Sequence, residues 1–84
     1  MTLTELASCL EREGFNPRWY SFDHRYPPSE GFVLEKVSGR WKISFYERGM
    51  FREIARFESE RDACVFFHAR MVEEFGASRG RTKH

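Results

Sequence analysis

Two hydrophobic periods alternate along the chain. Leu3, Leu6 and Leu10 recur at helical spacing up to Gly14, and Thr2 with Glu5 has the spacing of a capping box, so a first helix is expected over roughly Leu3 to Glu13. Phe15 follows the glycine, where an apolar residue can fold back on the last turn. "NPRWYSFDHRYPPSEG" holds a short strand at Trp19 to Phe22 and then a loop restrained by Pro27, Pro28 and Gly31. Phe32 to Val37 is rich in β-formers, Ser38-Gly39 reads as a hairpin turn, and Arg40 to Tyr46 alternates strictly. Trp41, Ile43 and Phe45 share one face of that strand and Lys42, Ser44 and Tyr46 the other, which implies a sheet packed on one side only. After Glu47-Arg48-Gly49, Phe51 to Phe57 makes a further strand with mixed faces. Ser59 and Asp62 repeat the capping signature before a second helix, Glu60 to Phe75, whose Cys64, Phe67, Met71 and Phe75 cluster on one side. Phe66 falls nearly opposite, either exposed or packed on a second face.

This order predicts a two-layer α+β domain: an antiparallel meander of three to four strands, with the N- and C-terminal helices packed on one face. Eighty-four residues make one domain, expected over 1–76, with 77–84 as a disordered basic tail. Nine Phe, three Tyr and two Trp make the small core affordable, because each ring removes much apolar area from water per ordered residue.

Charge narrows the partners. The net charge is +1, but Arg79, Arg81 and Lys83 alone contribute three positive charges near the C-terminus, so the first 75 residues carry a net −2. A mildly acidic body argues against a basic nucleic-acid footprint. Neither a leader pattern nor an apolar run of membrane-spanning length occurs, so a cytoplasmic protein is expected, with Cys9 and Cys64 as buried, reduced thiols.

Candidate catalytic chemistry is sparse. Cys64 and His68, one helical turn apart, form the best local metal-ligand pair, and no third ligand is legible beside them. No nucleophile elbow and no glycine-rich phosphate loop is present, so neither an enzyme nor a cofactor is expected. Helix, three strands, helix is also the order of a double-stranded RNA-binding domain, but its phosphate-binding lysines are replaced here by Ser59-Glu60-Arg61-Asp62.

One stretch is more specific. "RWKISFYERGMFREIARFESERDACVFF" resembles a pattern in small bacterial proteins in which a strand of the type Trp-x-Val-Tyr-Tyr leads into Ser-Glu-Arg-Gly. In that pattern a strand ending in Glu-Phe then precedes Asp-Ser-Glu-x-Glu-Ala-Cys and an aromatic-rich helix. Trp41, Glu47, Arg48, Gly49, Phe57, Ser59, Glu60, Ala63 and Cys64 carry the likeness, and Tyr46 stands where the pattern has serine. Such proteins are similar to immunity proteins of polymorphic toxin systems, and the resemblance, strongest over residues 31 to 70, implies stoichiometric binding and neutralisation of a cognate toxin domain. The expected contact patch is Tyr46, Glu47, Arg48 and Arg52, with Asp23 and Tyr26 contributed by the neighbouring loop. Arginine and tyrosine suit such a patch, since both bury large surface and still make directed hydrogen bonds. A small RNA-binding module or an adaptor for some other protein is the alternative.

Overall fold

Thr2 opens helix α1 (Leu3–Arg12) with both halves of the expected capping box: Glu5 N–H donates to Thr2 Oγ1 at 3.2 Å and Thr2 N–H to Glu5 Oε1 at 2.9 Å. The other end closes on Gly14, whose φ of +85° lets Gly14 N–H reach Glu11 O and Phe15 N–H reach Leu10 O. Phe15 is thereby folded back and buried, as its position after the glycine predicts. The computed structural model describes residues 1–76; the tail expected over 77–84 lies outside them.

A single 3-10 turn, Pro17–Trp19, leads into β1 (Tyr20–Ser21), followed by β2 (Gly31–Val37), β3 (Arg40–Glu47), β4 (Met50–Phe57) and α2 (Glu60–Phe75). The sheet order is β1-β2-β3-β4. β2, β3 and β4 form the expected antiparallel meander, whereas the two residues of β1 pair with Phe32 and Val33 in parallel, so the complete sheet is mixed. Both hairpins turn in two residues with positive φ: Ser38 and Gly39 at +53° and +81°, Arg48 and Gly49 at +55° and +78°. That is the type I′ geometry, whose twist matches the flanking strands.

α2 lies across β2, β3 and β4 and contacts α1. Leu6 and Leu10 of α1, Phe32 and Leu34 of β2, Ile43 of β3 and Phe67 and Met71 of α2 are at most 1% exposed and define the core between the layers. Each such side chain contributes roughly 2 kcal/mol by leaving water. Phe66 is resolved as a second-face core residue: it is half-buried, with its ring 5.2 Å from that of Phe57. Main-chain N–H of Leu3 donates to Glu60 Oε2 at 2.7 Å, tying the start of α1 to the start of α2.

Two departures matter for the surface. The outer face of the sheet is not wholly open, since Val33 and Ser44 on that face are 2% and 4% exposed. The loop after β1 turns back over this side, where His24 N–H and His24 Nδ1 both meet Glu35 Oε2, at 3.0 and 2.9 Å. The second departure is a bulge in β4. Glu47 pairs with Met50 and Ser44 with Glu53, but Ile43 pairs with Ala55, leaving Ile54 as the extra residue. A two-residue turn followed by an unbroken register would point Arg56 into the core and Phe57 out of it; the bulge reverses both.

Candidate partner-binding hairpin

The tip of the β3–β4 hairpin gathers side chains that the fold leaves unused. The side chains of Glu47 and Arg48 make no hydrogen bond or ion pair with any other described residue, so they do not clasp each other or the turn. Arg48 is exposed and sits at a left-handed φ of +55°, which costs a side-chain-bearing L residue about 1 kcal/mol. Beyond the glycine, Met50 is 72% and Phe51 46% exposed. Met50 therefore gains little by burial, and Phe51 keeps nearly half of its surface in water although its ring packs on Tyr46.

The six residues expected to form one patch are distributed. Tyr46 lies on the outer face, its ring 4.7 Å from that of Phe51. Arg52, opposite Phe45 in the register, lies on the helix-bearing face with its guanidinium 5.8 Å from the centre of the Phe45 ring. Tyr46 and Arg52 are therefore on opposite sides of the sheet, and the turn is where the two sides meet: Phe45, Glu47, Arg48, Met50, Phe51 and Arg52 surround one depression at the tip. On the helix side Arg52 and Glu47 also share a notch of mixed charge with Glu30, Arg70 and Glu74.

Of the loop residues, Asp23 is committed internally. Arg25 Nη2 donates to Asp23 Oδ2 at 2.7 Å and Arg25 Nε to Asp23 Oδ1 at 3.1 Å. These bonds hold the Asp23 carboxyl well below its usual range, at about 2. Tyr26 is 73% exposed with the Arg25 guanidinium 5.9 Å above its ring. It is His24, rather than Asp23 or Tyr26, that reaches the hairpin's side of the sheet, lining an outer-face hollow with Glu35, Lys42, Ser44 and Phe51. Charges on this face are interleaved: Lys42 stands opposite both Glu35 and Arg56, and Arg56 grips Glu53 through two bonds of 2.8 and 2.9 Å. The Glu53 carboxyl is lowered chiefly by that grip.

Sequence reasoning passed over Met50 and Phe51, and took His24 only as part of the loop from Asp23 to Tyr26. The signal for the first two was the return of apolar residues directly after a turn glycine, where a one-sided sheet calls for a single inward side chain rather than an exposed pair. His24 gave none, since its position depends on Glu35, 11 residues away.

A second polar cluster lies between the helices. Cys9 Sγ donates to Glu13 Oε2 at 3.3 Å, and His68 Nε2 is 2.8 Å from Glu13 Oε1. His68 thus faces α1, whereas Cys64, its expected companion, is fully buried. Cys9 is only partly buried, contrary to expectation, and both cysteines are free thiols. The hydrogen bond to Glu13, reinforced by burial and the carboxylate charge, raises the Cys9 pKa, so this thiol stays protonated at neutral pH. Burial likewise raises that of Cys64.

No helix among the described residues is long and apolar enough to cross a membrane. Compared with family models, curated proteins and solved structures, the chain matches none.

Proposed function

We propose that this chain is a binding protein that neutralises a cognate toxin domain by forming a stoichiometric complex, with the β3–β4 hairpin as its principal contact. The observation that carries this reading is the hairpin tip itself, where unpaired Glu47 and Arg48 flank exposed Met50 and Phe51 on a tight two-residue turn. Arginine and large apolar side chains on a pre-organised element lose little conformational freedom on docking, which favours affinity. Arg48 occupies a position where Asn or Gly would be less strained, a cost that recognition of a partner would offset. The likeness of residues 31 to 70 to immunity proteins supplies the class of partner, and it implies a cytoplasmic protein acting beside its toxin. Tyr46 and Arg52 then contribute from the two sides of the hairpin, and Asp23 with Tyr26 from the loop.

The interleaved charges of the outer face weigh against the RNA alternative, because a phosphate tract meets Glu35 and Glu53 as readily as Lys42 and Arg56. Co-expression with the product of the adjacent reading frame in a test bacterium decides the matter. Relief of toxicity by this chain, lost in a Glu47→Ala/Arg48→Ala variant that remains folded, supports the proposal; an adjacent product that is harmless, or harmful regardless of the chain, defeats it. Binding of a generic RNA duplex that weakens steeply with salt would establish the alternative instead.

A further inference from the structure

Cys9, Glu13 and His68 offer one thiol, one carboxylate and one imidazole whose ligand atoms all lie within 4.8 Å of one another. They come from two elements: Cys9 and Glu13 are one turn apart at the end of α1, and His68 projects from the middle of α2. From this geometry we infer that the α1–α2 seam is a binding site for a divalent transition-metal ion, zinc above all, with Cys9 Sγ, one Glu13 oxygen and His68 Nε2 as its ligands. The site is independent of what the hairpin binds.

The distances support it. Tetrahedral zinc with a sulfur at about 2.3 Å and nitrogen and oxygen at about 2.0–2.1 Å sets its ligands roughly 3.3–3.6 Å apart. The imidazole already approaches one Glu13 oxygen to 2.8 Å and the thiol approaches the other to 3.3 Å, with all the ligand atoms inside 4.8 Å. Parting the imidazole from its oxygen by about half an ångström, while thiol and imidazole turn onto the same Glu13 oxygen, would bring the three ligands to tetrahedral spacing. The His68 and Glu13 side chains are 27% and 32% exposed, so solvent reaches the cluster and an ion has access. As the Zn–S bond forms, the Cys9 S–H bond breaks and its proton passes to solvent. Three protein ligands leave the fourth position to water.

Ligand chemistry selects the metal. Thiolate and imidazole suit zinc and its neighbours, whereas calcium and magnesium require oxygen ligands that two of these three groups do not provide. The rival cluster, Asp23 with His24 and Glu35, lacks a soft ligand. A metal at the seam would join α1 to α2 at the end of α1 opposite the Leu3–Glu60 bond, clamping the first helix at both ends.

Cobalt(II) provides the direct probe. The reduced, chelator-stripped full chain, titrated with cobalt alone, should saturate at one equivalent with a thiolate-to-cobalt charge-transfer band and the intense visible bands of four-coordination, and zinc should displace the cobalt. Cys9→Ala should abolish the charge-transfer band, and His68→Gln should weaken binding by at least the roughly 10–100-fold that losing a mere outer-shell partner costs. His24→Gln should change nothing. Because variants at the helix seam fold poorly if the cluster also serves packing, thermal melts of the unmodified chain supply a second readout: zinc at a hundred times its dissociation constant should raise Tm by roughly 10–20 °C, and magnesium should not. The proposal is overturned by saturation without a charge-transfer band, by a band that survives Cys9→Ala, by loss of binding in His24→Gln, or by a Tm indifferent to zinc.

Discussion

The carbonyl of Trp19 packs directly against the α-carbon of Gly31, leaving no room for a β-carbon between them. Trp19 is fixed from its other side too, its ring stacked on that of Phe75 with centroids 4.8 Å apart and planes 10° from parallel. This contact seats the 3-10 turn on the start of β2 and lets β1 reach its parallel partner. Gly31→Ala must push these two backbone segments apart. The expected cost is about 1–3 kcal/mol or more, read as a fall of several degrees in Tm. A variant that melts with the parent chain would show that the turn can lift off β2 freely.

Deletion of Ile54 tests the bulge. With the two-residue turn retained, removing this residue places Ala55 opposite Ile43 and Phe57 opposite Trp41 in an unbroken ladder, the same partners they have now. The deleted chain should therefore fold with its core register intact, losing only the packing of a half-buried side chain, about 1–2 kcal/mol. Cross-strand contacts between Ala55 and Ile43 in NMR spectra check this. Their loss, or a chain that no longer folds, would show that the strand's bend is itself required.

Arg48→Asn separates stability from binding. Asn tolerates left-handed φ and precedes glycine in the commonest type I′ turns, so chemical denaturation should find the variant as stable as the parent or up to about 1 kcal/mol more so. Affinity for the partner should fall by roughly tenfold, the loss of a contact worth more than 1 kcal/mol. A variant that binds undiminished would remove Arg48 from the interface.

Acid should act on the two bidentate pairs. Asp23 has a folded pKa of about 2 against an ordinary 3.8, and Glu53 is also lowered, chiefly by Arg56. A depressed folded pKa means stability that is present above the ordinary value and lost as pH falls towards the folded one. Melts between pH 5 and pH 2 should show a decline beginning near pH 4, small because both pairs are exposed and screened by salt. Arg25→Gln should reduce the part of the decline that belongs to Asp23. An unaltered acid profile in that variant would mean the pair contributes nothing to folding.

The helices, their caps and both hairpin turns were legible in the chain because each depends on residues within five positions of one another. Thr2 and Glu5 meet on one turn, Gly14 supplies the left-handed closure that buries Phe15, and Gly39 and Gly49 permit the two-residue turns. Strict alternation likewise assigned the faces of β3, since a strand buried on one side repeats every two residues. Tertiary structure decided what depended on pairing between distant segments. The turn register, which sets Arg52 on the face opposite Tyr46, and the burial of Ala55 and Phe57 demand different parities, and a bulge at Ile54 reconciles them. His68 meets Glu13 across 55 residues because α1 and α2 pack against each other, and no local pattern announces a contact made by that packing.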